Sequence, residues 1–237
     1  MKNLKLNNGF LVILLMTITM GSAIGISAPL QSAPGEKRNV ESYHELELEG
    51  AFEVTLIQGN EESVVIDAPA DIASQVMTKV ESGKLKIYTD KNIKYSDKVM
   101  LTITFKNLKS LDYSGAIVLN GKGAFKFDEF SFDASGACKA TLEFTAANLD
   151  VDISGAGSAS FQGKATKVDL DISGAGKFMA AALVADDYEI DISGTGNAEV
   201  HATKILDVEI SGTGKVKYSG DPRITKTISG TGNVTQL

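Results

Sequence analysis

Residues 151–196 read VDISGAGSASFQGKATKVDLDISGAGKFMAAALVADDYEIDISGTG, a stretch that repeats itself. A Ser-Gly-(Ala/Thr) triplet begins at Ser154, Ser173 and Ser193, and again at Ser114, Ser135, Ser211 and Ser229. The steps from Ser114 onward are 21, 19, 19, 20, 18 and 18 residues. From Ser154 the triplet extends to S-G-[AT]-G, with Gly155, Gly174, Gly194, Gly212 and Gly230 as the first glycines. Self-similarity at such a period marks an architecture of stacked repeats.

The residues around each Ser alternate in polarity. Just before it stand Tyr113, Ala134, Ile153, Ile172, Ile192, Ile210 and Ile228; two positions earlier stand Leu111, Phe132, Val151, Leu170, Ile190, Val208 and Lys226. Between them lie Asp112, Asp133, Asp152, Asp171, Asp191, Glu209 and Thr227. One apolar and one polar face with period two is a half-buried strand. A second alternating run follows the glycines. A unit this short cannot bury its own apolar face, but a stack of such units can. The sequence therefore predicts an all-β chain: a right-handed, single-stranded parallel β-helix of 18–21 residues per coil, turning a corner at each Ser-Gly. A β-sandwich would need hairpin signals, and beyond the leader Asn-Gly occurs only at Asn120-Gly121.

Outward from the repeats the pattern loosens. Leu46 and Leu48 before Gly50-Ala51 resemble a degenerate first copy, with Glu49 in the Ser place. Residues 70–80 are the one candidate for a helical turn. The expected organisation is a leader at 1–23, a linker at 24–40, irregular β coils at 41–110 and regular coils at 111–237, the last two continuous as one domain. The leader reading rests on Lys2 and Lys5 before an apolar run at 9–26, with small residues at Gly21-Ser22-Ala23. An uncleaved membrane anchor is the rival reading of that run; the mature chain is otherwise expected to have no membrane span. The protein is accordingly expected to be exported, to the periplasm, the outer-membrane surface or beyond the cell.

Composition narrows the chemistry. With 23 basic and 30 acidic residues the net charge is −7, which argues against nucleic acid as a partner. One Cys and two His leave no Cys/His zinc site, and no cofactor is expected. The acids Asp112, Asp133, Asp152, Asp171, Asp191 and Glu209 should stack on one outer face, with Asp150, Asp169, Glu189 and Asp207 beside them. They could attract cations diffusely, since carboxylate oxygens suit Ca²⁺. Two unit charges about 4.8 Å apart repel by roughly 0.9 kcal/mol in water, against roughly 1.5–3 kcal/mol for each apolar side chain buried. Packing alone therefore suffices, and a solvated face with no defined metal site is expected.

The remaining candidates favour structure over chemistry. The Ser-Gly-x-Gly turns lack the Lys of phosphate-binding loops and precede strands, so Ser114, Ser135, Ser154, Ser173, Ser193, Ser211 and Ser229 are turn residues, their side chains expected to bond to turn backbone or to each other. His44 and His201 are expected in turns or at the surface rather than in a hydrolytic triad, and no G-x-S-x-G occurs. Cys138 stands where later copies have Gly157 and Gly176 and reads as a corner thiol. Phe125, Phe127, Phe130, Phe132 and Phe144 fill a core or, alternatively, form a glycan-stacking patch. Lys226 interrupts the last apolar row and would deter further stacking. Carboxylate pairs for glycan cleavage exist at many separations, but the acid column is monotonous where an active site would break the pattern.

The segments DVDISGAGSASFQG, DLDISGAGKFMA and EIDISGTGNAEV, with ELELEGAFEVTLIQG and GKLKIYTD earlier, resemble the head GIN domain family of autotransporter-adhesin-like proteins. The resemblance spans about residues 40–237. It implies an exported bacterial envelope protein built as a right-handed β-helix, with no catalytic residues to transfer. No membrane β-barrel follows the repeats up to Leu237, a departure from a true autotransporter. The leading expectation is a non-enzymatic envelope or surface protein presenting long faces to glycan or protein. A periplasmic structural or stress-related interaction module and a glycan-cleaving β-helix enzyme are the alternatives. Homodimers through terminal coils or sheet faces are also open.

Overall fold

Alternation of Val, Ile, Leu and Phe with polar residues makes strands, and the period of the repeats makes them stack. The computed structural model describes residues 35–89 and 98–237. The leader at 1–23 and most of the linker lie outside the described residues. The chain runs through β1 (Glu36–Asn39), β2 (Glu45–Gln58), β3 (Ser63–Asp67), the short helix α1 (Ala70–Ala73), β4 (Val76–Glu81), β5 (Lys84–Thr89) and β6 (Met100–Phe105). The regular part follows as β7 (Ser110–Lys126), β8 (Glu129–Gly136), β9 (Lys139–Ile153), β10 (Ser158–Ile172), β11 (Lys177–Ile192), β12 (Asn197–Ile210), β13 (Lys215–Ser219), β14 (Arg223–Ile228) and β15 (Asn233–Gln236).

From β7 onward every pairing is parallel, and each coil lies on the previous one with like residues in register. Leu111 pairs with Phe132, Val151 with Leu170, and Ile172 with Ile192. The predicted inward rows from Leu111 through Ile210 are buried throughout, as are Ala140, Leu142, Ala159, Phe161, Phe178 and Val200 after the corners. The recurrent serines therefore stand in one line, as a β-solenoid requires.

The corner is held by backbone. The amide after each first glycine donates to the carbonyl of the glycine one coil below: Ala156 to Gly136, Ala175 to Gly155, Thr195 to Gly174 and Thr213 to Gly194, at 2.8–3.0 Å. A Cβ on Gly155, Gly174, Gly194, Gly212 or Gly230 would overlap that same carbonyl. The second glycines have another duty. A Cβ on Gly196 would lie 2.6 Å from the Ile172 Cγ2 atom, so this position stays bare to admit the isoleucine below. The equivalent position of the coil between β8 and β9 carries the buried Cys138, whose Sγ lies 3.3 Å from the Ser135 carbonyl oxygen.

The first third departs from irregular parallel coils. β2 is a regular coil: Leu46 pairs with Leu111, Glu49 with Ser114 and Gly50 with Gly115, which puts the degenerate copy in full register. Its other side is covered by β5 and β6, parallel to it. Beyond these the pairing turns antiparallel: β3 on β6, β1 on β3, and β4 on β5. β1 falls at the end of the segment read as linker. Ser82-Gly83 is not a solenoid corner but a hairpin turn, with φ of 52° and 80°, the paired positive values that a two-residue hairpin favours. Asn120-Gly121, the nominal hairpin signal, lies within β7. Only the start of segment 70–80 is helical, and it gives way to β4. The contacts make Pro34–Leu237 one compact unit.

The corner predicts a sharp contrast between neighbours. Gly174→Ala should destabilise the domain by about 2–3 kcal/mol through backbone overpacking, whereas Ala175→Thr, the residue found at Thr195, should be neutral. Thermal unfolding of the two variants checks this; equal melting temperatures would refute the close approach.

Candidate functional site

Because register is fixed at the corner, the outward residues have no choice but to stack. Glu47, Asp112, Asp133, Asp152, Asp171, Asp191 and Glu209 form one ladder across seven strands. Asp150, Asp169, Glu189 and Asp207 form the neighbouring ladder, continued on the other side by Ser131, Ser110 and Glu45. Two positions after the first ladder come the serines, on the same outward face. Acids and serines of the early coils, with Glu49, line a shallow groove of about 420 Å³.

Lysines relieve this ladder unevenly. Lys84 Nζ stands 3.2 Å from Glu45, 3.6 Å from Glu47 and 3.5 Å from Asp112, and Lys86 Nζ stands 3.0 Å from Glu47. Both come from the β4–β5 hairpin. Lys167 bridges Asp169 at 2.9 Å and Glu189 at 3.1 Å. Among the described residues Asp133 has no such ion pair. Burial disfavours its charged form, and a hydrogen bond shared with Asp112 together with the charges of Asp112 and Asp152 adds to this; the Ser131 hydroxyl, donating at 3.1 Å, opposes it. Its pKa is pushed up to about 6. Asp171 is also raised, by burial first and then by Asp191 and Asp152. Among the described residues no three His, Cys, Asp or Glu side chains converge to hold a metal ion.

The other sequence candidates fall as follows. The bonds that tie the corners are backbone bonds. His44 packs over the hairpin glycine Gly83 and lies 3.8 Å from Glu45. His201 pairs in register with Ser219. The Phe cluster is core and not a stacking patch for sugars: Phe125, Phe130, Phe132 and Phe144 are at most 2 % exposed, and Phe127 lies flat on Phe130 at 4.2 Å.

One concave site escaped the sequence. The ends of β2, β6 and β7 meet the start of β8 around a groove of about 940 Å³. Gln58 shapes it, donating to the carbonyls of Lys106 and Lys126 at 3.2 and 3.1 Å and accepting from the Lys126 amide at 2.9 Å. Lys106 is neutralised by Glu62 at 3.1 Å, while Lys109 and Lys126 line the groove with no ion pair among the described residues. Asn60 and Asn107 add amides, and Asp128 and Glu129 add carboxylates. The sequence signal was the 21-residue step between Ser114 and Ser135. Its extra length appears as a register shift between Asn120 and Ala124 and a positive φ of 89° at Gly123, the signs of a bulge.

The raised pKa of Asp133 sets a pH dependence opposite to ordinary acid unfolding. A folded-state value near 6 against 3.8 unfolded means the folded chain binds this proton more tightly. Its contribution is full below the unfolded value and lost as pH rises through about 6. The domain should therefore gain stability between pH 7.5 and 4.5, on the order of 1 kcal/mol after solvent screening of this half-exposed group. Asp133→Asn should raise the melting temperature at pH 7.5 and flatten the trend, as read by calorimetry across that range.

Comparison with known proteins agrees with the fold. A solved structure from Bacteroides fragilis, described as a putative adhesin, superposes with a TM-score of 0.78 at 20% identity, covering 85% of this chain and 95% of that one. A protein from Parabacteroides distasonis described as a putative lipid binding protein gives 0.69 at 22% identity, with 86% and 97% covered. A putative adhesin from Parabacteroides merdae gives 0.64 at 19% identity, with 85% and 95% covered. No curated protein matches. The family described as "Putative auto-transporter adhesin, head GIN domain" matches residues 42–222, from the first regular coil to the threshold of the last, and the chain belongs to that family.

Proposed function

We propose that this chain is an exported envelope or cell-surface protein that binds glycan or protein ligands and catalyses no reaction, with residues 1–23 as a leader that is removed. The observation that carries this reading is the corner groove. At about 940 Å³ it is of ligand-binding size, and its lining mixes ammonium, amide and carboxylate groups that suit sugar hydroxyls or a polar peptide. Lys109 and Lys126, without an ion pair among the described residues, stand out on a molecule of net charge −7. Family membership supports the same reading, since adhesin is the description the family carries. The acidic ladders form a second, flat surface that keeps the solenoid soluble and attracts cations only diffusely.

The test is an array of glycans and extracellular-matrix proteins probed with the leaderless protein, with and without chelator. The expected outcome is binding of a restricted ligand set, unchanged by chelator and reduced at least tenfold by the Lys109→Glu/Lys126→Glu double variant. Labelling of intact cells with a membrane-impermeant reagent should reach the protein. Failure of labelling together with a blank array would favour the periplasmic interaction module instead.

A further inference from the structure

Among the described residues the outer side of the β14–β15 coil is bare. β14 continues the inward row of the coil beneath it, with Ile224 over Leu206, Lys226 over Val208 and Ile228 over Ile210. Leu206, Val208 and Ile210 are wholly buried by that coil, whereas Ile224 and Ile228 are each 38 % exposed. Among the described residues no strand pairs with the outer edge of β14 or β15. Such an edge offers a row of free amides and carbonyls to which an extended chain can add.

The opposite end is finished differently. There β1, β3 and β4 pair antiparallel beyond the first coil. Arg38 of β1 donates to the carbonyls of Val76 and Ala73, tying β1 to the start of β4 and to α1. Among the described residues the coil of β14 and β15 has no such antiparallel covering.

Charge decides what the open end accepts. Lys226 sits in the inward row between two isoleucines. A second copy docked tail to tail would carry both Lys226 ammonium groups into the joined apolar core with no anion to meet them, which desolvation forbids. A strand with apolar residues opposite Ile224 and Ile228 and a carboxylate opposite Lys226 would cover the isoleucines and pair the charge. The outward positions favour such a strand too. The ladders of Asp207 and Glu209 end in Thr225 and Thr227 on β14, so the carboxylates stop one strand short of the edge. Arg223 opens the same strand.

From this juxtaposition we infer that the C-terminal coil is a docking edge for an extended segment of a partner protein whose inward-facing residues run apolar, acidic, apolar at alternate positions. Lys226 then acts twice: it repels a second copy of the chain and selects the acidic partner. The inference is independent of what the corner groove binds.

The test uses the leaderless protein and two fluorescent peptides of alternating Val and Thr, one with a central Asp and one with a central Lys. Anisotropy should show the wild type binding the Asp peptide at least tenfold more tightly than the Lys peptide, and Lys226→Glu should invert that order. Because β14 is exposed along its length, the variant should melt as the wild type does. In sedimentation, Lys226→Ile should associate end to end where the wild type stays monomeric. Equal affinity for the two peptides, no binding of either, or a wild-type dimer unaffected by Lys226→Glu would each overturn the assignment.

Discussion

Everything regular in this molecule depends on how closely two coils approach at the Ser-Gly corner. The amide after each first glycine reaches the carbonyl of the glycine below at about hydrogen-bond length, and no Cβ fits between them. A strand ladder that ran only along the flat sides could slip by two residues and still keep its apolar face inward. The corner removes that freedom, because a slipped coil would bring a side chain into the one place that admits none. Coil lengths may vary from 18 to 21 residues, since the difference is absorbed on the far side, where β10 and β11 and then β11 and β12 shift register.

The acidic ladders are a consequence of that constraint. Fixed register places like residues on like residues, and an exposed acid repeated in sequence becomes a column in space. Each pair repels by roughly 0.9 kcal/mol in water at strand spacing, so the column is tolerable but not free. The protein relieves it with lysines at particular rungs. The β4–β5 hairpin sends Lys84 and Lys86 to the first rungs, and Lys167 spans two coils farther along. Asp133 lies between these two aids, and its pKa is pushed up to about 6.

How much of this could be read from the sequence follows from where the repeat applies. The corner, the inward rows and the acid column are properties of a period, and a period is visible in a single chain. The groove around Gln58 is not, because its lining comes from the ends of three segments far apart in sequence, 58–60, 106–109 and 124–129. The antiparallel cap over β2 is not legible either, for a different reason. Ser82-Gly83 has the same dipeptide as the corners, but Lys84 follows it where the corners have Ala or Thr, and no second glycine comes after. Positive φ at both Ser82 and Gly83 folds the chain back there as a hairpin.

The same logic accounts for the antiparallel character of the cap. A parallel solenoid cannot end itself, since each coil leaves an edge and an apolar row identical to those it has just covered. Continuing the repeat only moves the problem by one strand. A hairpin breaks it: β4 and β5 cover the row beneath while turning a different side chain set outward, and β3 does the same for β6. Arg38 then ties β1 to the start of β4 and to α1 through the carbonyls of Val76 and Ala73. At the far end the repeat is simply carried through to β14 and β15, with Lys226 substituted into the inward row. A charge in that row cannot close the edge, because the backbone groups remain free. It can only restrict which chain is able to use them, and that restriction is what distinguishes a selective edge from a sticky one.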